Sequence, residues 1–145
     1  SFISITEPLL LRTKSKLFNR QVVLGSKTDL KVGTEVTVEN DKIDESVKNI
    51  FKDSVVTSAT VVIKKLNEDS SLPARVTAVS STDVDITSDN TIIYSFDTDT
   101  DLVSGNGVTL DSDELGTRRG TYSLQVTYTV LAEKIVSPLM YFVVK

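Results

Sequence analysis

Residues 120–145 read GTYSLQVTYTVLAEKIVSPLMYFVVK, and their order of apolar and polar side chains predicts a β-hairpin. From Tyr122 to Val130 apolar and polar residues alternate, which is the period of a strand with one buried face. A polar corner at residues 132–134 precedes a second strand, which contains Pro138 and ends in an apolar run. This hairpin indicates that the chain folds mainly as β-sheet.

The rest of the chain repeats short strand patterns with turn residues between them. Two or three short strands are predicted within residues 21–39, where Val32-Gly33-Thr34 forms one of the glycine turns. Strands spaced about ten residues apart are typical of an all-β sandwich or barrel. Residues 97–119 are rich in Asp, Gly, Ser and Thr and are predicted to form a long connection before the final hairpin. The other strand patterns lie at residues 55–66, 74–79, 84–87 and 91–96.

One segment interrupts the β pattern and predicts a short amphipathic helix. Asp41 or Asp44 is available as the N-cap of this helix. We expect it to cover one open end or face of the sandwich. Within residues 40–52 the apolar side chains that fall at helical spacing are Ile43, Val47, Ile50 and Phe51.

The composition limits the classes of function. The chain has 145 residues, enough for one domain with its own core, and 39% hydrophobic with 25% charged residues is ordinary for a globular protein. It contains no cysteine and no histidine, which excludes thiolate nucleophiles, cysteine-bound metals, Ser-His pairs and the commonest zinc ligand. Its longest apolar runs, residues 8–11 and 139–144, are far shorter than the roughly 20 residues of a membrane span. We therefore expect a protein that is not an enzyme and has no membrane span.

The charge divides the chain into a basic N-terminal segment and an acidic remainder. Residues 1–20 carry a net charge of +3, so residues 21–145 carry −7. We expect residues 1–20 to form an extended arm and residues 21–145 to form the β-sandwich domain. Such an arm would bury apolar side chains on another protein subunit and place basic ones against an acidic surface. The predicted partner-binding residues are Phe2, Ile3, Ile5, Leu9, Leu10, Leu11, Arg12, Lys14 and Lys16.

Two other interpretations of residues 1–20 stay open. The segment could be a first edge strand that packs on its own domain. Arg12, Lys14 and Lys16 could also contact nucleic acid, because alternate positions project from one face of an extended chain. Nucleic acid is the less favoured partner, since the remainder of the chain is acidic and no aromatic stacking platform other than Phe18 accompanies these residues.

The acidic connection holds the ligand-like cluster of this sequence. Calcium prefers several oxygen ligands, and alternating carboxylates in a loop can supply them. An EF-hand is excluded, because Leu102 stands where that loop needs glycine and Val108 where it needs glutamate. A looser calcium site competes with a solvated acidic loop, and more weakly with a pair of carboxylates that act as general acid and base. The candidate calcium ligands are Asp97, Asp99, Asp101, Asp111 and Asp113, and no other cofactor is expected.

The same connection contains two further features. Gly105-Asn106-Gly107 is predicted to be a turn, since glycine tolerates positive φ. Arg118 and Arg119 form a small basic spot, which we expect to pair with the preceding acidic side chains.

Three motifs resemble those of immunoglobulin-like modules. They are Gly120-Thr121-Tyr122, the strand Ile135-Val136-Ser137-Pro138 with its ending Tyr141-Phe142-Val143-Val144, and the earlier strand at residues 58–65. They cover roughly a third of the chain and are most similar to modules of tailed-phage baseplate and other virion proteins. The resemblance implies an immunoglobulin-like β-sandwich, in which the Tyr122 hydroxyl bonds to the backbone upstream as in a tyrosine corner. The chain departs from antibody domains in having neither a cysteine pair nor a tryptophan.

The resemblance favours a structural function. It implies a virion component, such as a capsid-decorating, neck or baseplate subunit, which joins other protein subunits in a homo- or hetero-oligomer through its arm and sheet edges. The alternative is a cell-surface adhesin or an archaeal surface-filament domain, which would be extracellular and would use the acidic loop for calcium or another ligand. An enzyme with carboxylate chemistry is a third and weaker alternative.

Overall fold

Alternating apolar residues form the strands of two β-sheets in the computed structural model of the chain. The structure describes residues 2–4, 11–15, 20–23, 28–40, 56–67, 74–87, 92–102, 107–109, 116–130, 132–136 and 139–145. The strands in these residues are β1 (Phe2–Ser4), β2 (Leu11–Ser15), β3 (Arg20–Val23), β4 (Thr28–Leu30), β5 (Glu35–Asn40), β6 (Val56–Leu66), β7 (Arg75–Ser81), β8 (Asp85–Ile86), β9 (Ile92–Asp97), β10 (Gly120–Val130), β11 (Glu133–Val136) and β12 (Met140–Val144). A 3-10 turn at Thr100–Leu102 follows β9.

The central strand of the first sheet is β10, which pairs along both of its edges. One edge pairs antiparallel with β6, and β6 pairs in turn with β7. The other edge pairs with β12 over residues 120–124 and with β11 over residues 127–130. Outside them lie β4, parallel to β12, and β1, parallel to β11. The hairpin predicted from the sequence therefore forms the centre of this sheet.

The strands β11 and β12 lie end to end along the same edge of β10. Pairing runs from Val130 opposite Glu133 to Gly120 opposite Val144, and the register is displaced by one residue between the two strands. A displacement of this kind is typical of a β-bulge. In the sequence Pro138 falls between the two strands, in agreement with the confinement of proline to the edges and bulges of sheets.

The second sheet has the strand order β3-β2-β5-β9-β8, and all of its pairs are antiparallel. Val36 and Val38 of β5 and Phe96 of β9 are buried. Thr37 and Ser95 alternate with these buried residues and face the opposite side of the sheet. Their hydroxyl oxygens lie 2.9 Å apart on the exposed side. The alternation therefore places the apolar side chains between the two sheets. These observations confirm the all-β sandwich predicted from the sequence.

Aromatic rings connect the two sheets across the core. The ring centroid of Phe96, in the second sheet, lies 5.7 Å from that of Phe142 in the first. Phe142 stacks on Tyr122 at 5.2 Å, and Phe96 stacks on Tyr94 at 5.9 Å. Ring pairs of this kind contribute about 0.5–1.5 kcal/mol beyond the burial of their area. The four rings therefore hold β9, β10 and β12 together at the middle of the sandwich.

Residues of the predicted N-terminal arm lie in both sheets. β1 pairs with β11 at the edge of the first sheet, while β2 lies between β3 and β5 in the second. Neighbouring strands of the same chain thus satisfy the backbone N–H and C=O groups of these extended residues. The described parts of residues 1–20 are sheet strands, and the expected division of the chain at residue 20 stays a prediction.

The remaining strands predicted from the sequence lie close to strands of the structure. The patterns predicted at residues 55–66, 74–79, 84–87 and 91–96 correspond to β6, β7, β8 and β9. The predicted helix at residues 40–52 lies outside the described residues, except that Asn40 ends β5. In the part of the chain that the structure describes, no helix is long and apolar enough to cross a membrane.

Candidate functional site

The predicted partner-binding residues are divided between the two sheets. Phe2 and Ile3 lie in β1, and Leu11, Arg12 and Lys14 lie in β2. The structure therefore brings the described members to two different sheets, and their contact with a partner subunit stays a prediction. The members that lie outside the described residues are Ile5, Leu9, Leu10 and Lys16.

Two short strands lie along the outer edges of β11 and β12. β1 pairs with β11, and β4 pairs with β12, over three residues in each case. The backbone N–H of Lys145 donates to the Leu30 carbonyl at 2.7 Å, and the Lys145 ammonium lies 2.9 Å from the Asp29 carboxylate. These two contacts fasten β4 to the end of β12. A strand at a sheet edge presents unpaired backbone N–H and C=O groups, with which a strand from another chain can pair.

The acidic residues at the end of β9 and just after it form a turn through their own hydrogen bonds. One carboxylate oxygen of Asp97 accepts hydrogen bonds from the backbone N–H groups of Asp99 at 2.7 Å and Thr100 at 3.2 Å. The Asp101 carboxylate accepts a hydrogen bond from the Asp97 N–H at 2.6 Å. Bonds of this kind between an aspartate and nearby backbone are typical of Asx turns. These side chains therefore shape the start of the connection between the sheets.

The three described carboxylates do not form a metal site by themselves. Among the described residues no group of three or more acidic, histidine or cysteine side chains is placed to hold a metal ion. Asp99 faces Arg118, with 3.1 Å between its Oδ1 and the arginine Nε. The other two candidate ligands, Asp111 and Asp113, lie outside the described residues. The described candidates therefore serve turn formation and charge pairing.

The connection ends at Tyr122, near the start of β10. Tyr122 is fully buried, and its hydroxyl donates to the Arg118 carbonyl at 2.8 Å. The Arg118 side chain meets Asp99, which confirms the expected pairing for this arginine. Nearby, the ammonium of the buried Lys65 donates to the Thr117 carbonyl. The start of β10 is thereby attached both to β6 and to the turn after β9.

Two other buried tyrosines have hydroxyls without a partner in the described part of the chain. Tyr94 and Tyr128 are 4% and 1% exposed, and neither hydroxyl makes a hydrogen bond there. Burial, with smaller contributions from Asp101 and Asp83, raises the pKa of Tyr94 to about 12. Burial also raises the pKa values of Tyr122 and Tyr128 above the usual tyrosine value. All three phenols are therefore protonated at neutral pH.

The outer face of the first sheet carries a shallow depression beside Tyr141. Tyr141, Ser123 and Lys64 form one row across β12, β10 and β6, since Ser123 pairs with both of the others. Ser123 is 5% exposed and lies as a small residue between two long side chains. Leu66 and Arg75, which pair across β6 and β7, line the same depression. We call this surface the Tyr141 depression.

The Tyr141 depression combines apolar surface with positive charge. Leu66 is 45% exposed and Tyr141 is 39% exposed. Lys64 and Arg75 are exposed, and neither forms an ion pair with another described residue. The described residues that line the depression include no carboxylate. The arrangement therefore suits an anionic group that stands next to an apolar one.

The sequence did not point to the Tyr141 depression. Lys64, Arg75 and Tyr141 come from three different strands, and no spacing rule connects them. The sequence signal for such a surface is an apolar residue at a position of a strand where alternation predicts an exposed side chain, as at Leu66 and Tyr141. Such a signal marks a surface only after strand pairing has placed the two side chains together.

No protein-family model matches this chain, and a search of the curated proteins finds no match. The sandwich, its sheet edges and the Tyr141 depression are therefore the observations on which a function can be proposed.

Proposed function

We propose that the sandwich is an immunoglobulin-type Greek key. From β5 onward the chain passes from the second sheet to the first between β5 and β6, returns between β7 and β8, and passes again between β9 and β10. In the second sheet, the order β2-β5-β9-β8 then corresponds to strands A, B, E and D of an immunoglobulin domain. In the first sheet, the order β7-β6-β10-β12 corresponds to strands C′, C, F and G. The tyrosine corner supports this assignment, because such a tyrosine lies near the start of strand F.

Apolar residues stand where antibody domains carry their disulfide. In that pattern the second cysteine follows the corner tyrosine by two residues, and here Leu124 follows Tyr122 at this distance. Leu124 is fully buried, as is Val36 of β5, the strand assigned to B. Aliphatic burial would thus close the core without a disulfide, in accord with the absence of cysteine.

We further propose that the protein is a non-enzymatic structural component of a virion, such as a capsid-decorating, neck or baseplate subunit. It would assemble with other subunits through its sheet edges. The virion assignment is supported by the resemblance of residues 120–145 to modules of tailed-phage baseplate and other virion proteins.

The observation that supports assembly is the way in which β1 closes the first sheet. Three registered residue pairs, from Phe2–Lys134 to Ser4–Val136, hold β1 parallel to β11. The backbone donors and acceptors of β11 would accept β1 of a neighbouring subunit equally well, because the exchange leaves the number of hydrogen bonds unchanged. Phe2 and Ile3 would then belong to the sheet of the neighbour.

Removal of residues 1–5 tests the assembly function. The shortened chain should keep its far-UV circular dichroism, because β1 lies at an edge and contributes three residue pairs. Its association, either with itself or with the products of flanking genes, should weaken by at least about tenfold in sedimentation velocity, which corresponds to about 1.4 kcal/mol. A peptide with the sequence SFISITEP should bind the shortened chain, whereas a scrambled peptide should not. Unchanged association of the shortened chain would contradict the proposal.

The genes that flank the coding sequence test the virion assignment. We expect portal, tail or capsid genes beside it. Flanking genes for a surface-filament or adhesin system would instead support the alternative of a cell-surface binding domain.

A further inference from the structure

We propose that the Tyr141 depression binds the acidic segment Thr82-Asp83-Val84-Asp85 of a second copy of this chain. This inference rests on the proposed assembly function and names the two surfaces that would meet. The acidic segment follows β7 and includes the first residue of β8.

The two cations of the depression have a defined spacing. Lys64 on β6 pairs with Thr77 on β7, and Arg75 lies two residues before Thr77 on the same strand. Lys64 and Arg75 are therefore diagonal neighbours, roughly 7–8 Å apart along the sheet. Leu66 and Tyr141 place exposed apolar surface beside these charges. A matching ligand needs two negative charges at a similar spacing and an apolar group near them.

The acidic segment offers such a ligand. Asp83 and Asp85 are exposed, and neither forms an ion pair with another described residue. The backbone makes a tight turn at Asp83, because the Val84 N–H donates to the Thr82 carbonyl at 2.9 Å, and the Cα atoms of Asp83 and Asp85 are at most about 7 Å apart. Val84, between them, is half-buried and keeps part of its apolar surface accessible. Carboxylates that meet Arg or Lys form charge-assisted hydrogen bonds, which are stronger than neutral ones.

The two surfaces lie toward opposite ends of β7. Arg75 is the first residue of β7, while Asp83 lies beyond its last residue, Ser81. At about 3.3 Å per residue the strand separates them by roughly 20 Å, so the surfaces do not overlap. One copy can therefore use its depression and its acidic segment at the same time. A contact between two different surfaces of identical chains is heterologous and builds a ring or a filament.

The first test is the salt dependence of wild-type association. Sedimentation equilibrium should show a dissociation constant that rises at least about tenfold between roughly 0.1 M and 1 M NaCl, because the Debye length falls from about 10 Å to about 3 Å. A wild-type chain that stays monomeric at low salt up to submillimolar concentration would overturn the inference.

Charge reversal gives the second test. Lys64→Glu/Arg75→Glu and Asp83→Lys/Asp85→Lys should each weaken self-association at least about tenfold and keep the wild-type circular dichroism, because all four side chains are exposed. An equimolar mixture of the two variants should restore association, since each reversed surface then meets an oppositely charged one. Lys31→Glu/Arg119→Glu changes the net charge as the first variant does, at exposed positions outside the depression, and should associate like the wild type.

Tyr141→Ser alters no charge and should also weaken association. The inference is overturned if both reversed variants associate like the wild type, or if their mixture does not restore association. Loss of association on removal of residues 1–5, together with no effect of charge reversal, would overturn this inference and leave the proposed function standing. Restored association in the mixture would support it, because no change in overall stability can produce that result.

Discussion

The three buried tyrosines differ in what their hydroxyls contact. Tyr122 donates to the Arg118 carbonyl, whereas the hydroxyls of Tyr94 and Tyr128 have no partner among the described residues. A hydroxyl buried without a partner costs about 1–3 kcal/mol, while a made hydrogen bond contributes about 1 kcal/mol. The same substitution should therefore have opposite effects at these positions.

Removal of each hydroxyl tests this difference. Tyr122→Phe should lower the free energy of unfolding by about 1 kcal/mol, because the Arg118 carbonyl loses its donor. Tyr94→Phe and Tyr128→Phe should leave it unchanged or raise it by up to about 1 kcal/mol. Urea denaturation monitored by circular dichroism measures all three. A loss at Tyr94 as large as that at Tyr122 would show that the Tyr94 hydroxyl has a partner.

Gly107 and Gly33 have similar backbone angles and different surroundings. Their φ values are +82° and +84°, a region that side chains other than glycine rarely adopt. A Cβ at Gly107 would overlap the Ser80 carbonyl oxygen of β7, whereas a Cβ at Gly33 would meet open space.

Alanine at these two positions separates backbone strain from steric overlap. Gly33→Ala should lower the free energy of unfolding by about 1 kcal/mol through the positive φ. Gly107→Ala should cost at least about 1–2 kcal/mol more, because β7 or the connection must also move. Urea denaturation of the two variants measures both losses of stability. Equal losses would mean that the connection moves away from Ser80 at no cost in free energy.

At the scale of elements, a threonine clasp joins the β4–β5 turn to the turn after β9. The buried Thr98 hydroxyl donates to the Lys31 carbonyl at 2.8 Å and accepts from the Thr34 N–H at 2.8 Å. The Thr98 N–H donates to the Thr34 carbonyl at 2.9 Å. One side chain thus fixes two turns that lie far apart in the sequence.

Replacement of this hydroxyl should destabilise the protein. Thr98→Val keeps the shape and removes the two side-chain hydrogen bonds, so the free energy of unfolding should fall by about 2 kcal/mol. Thr98→Ser retains the hydroxyl and should lose less than half as much. Thr37→Val removes an exposed hydroxyl bond to Ser95 and should change stability by less than about 0.5 kcal/mol. A similar loss for Thr98→Val and Thr37→Val in thermal or urea unfolding would refute the clasp.

For the whole molecule, the buried phenols predict sensitivity to alkaline pH. The pKa of Tyr94 is raised from 10.0 to about 12 by folding, so the folded state holds this proton more tightly than the unfolded chain does. The resulting stability is present below pH 10 and is lost as the pH rises from about 10 to about 12. The shift of two pKa units corresponds to about 3 kcal/mol.

Unfolding at several pH values tests this expectation. The free energy of unfolding of the wild type should fall steeply above pH 10, and that of Tyr94→Phe should fall less by about 2–3 kcal/mol at pH 12. All other ionisable groups are the same in both chains, so the difference between the two curves isolates Tyr94. Parallel curves would show that this hydroxyl ionises as freely in the folded state as in the unfolded chain.

Local periodicity was enough to predict β6, β7 and the final hairpin of the first sheet and the class of fold. Alternation places every second side chain of an isolated strand on one face, and this geometry needs no knowledge of the neighbours. The buried Leu124, Val126 and Tyr128 follow that rule. The hydrogen bond from Tyr122 to Arg118 joins residues close in the sequence, and the pair of Arg118 with Asp99 joins opposite charges of one connection, so they too could be foreseen.

Strand pairing decided what periodicity could not. In β7 the consecutive residues Ala78 and Val79 are both buried, because the register with β6 shifts by one residue at this point. Residues 1–20 carry too short a pattern to show which strands they join, and the structure pairs their described parts within both sheets.

By itself, then, the sequence determined an all-β sandwich without disulfides, its turn glycines and the acidic connection between the sheets. Only the tertiary structure decided that two of those acidic side chains, Asp97 and Asp101, close a turn and that Lys64, Arg75 and Tyr141 form one surface. The physical reason is that turns and alternation arise from the backbone geometry of neighbouring residues. A surface, in contrast, depends on the register of strands that meet only after the chain has folded.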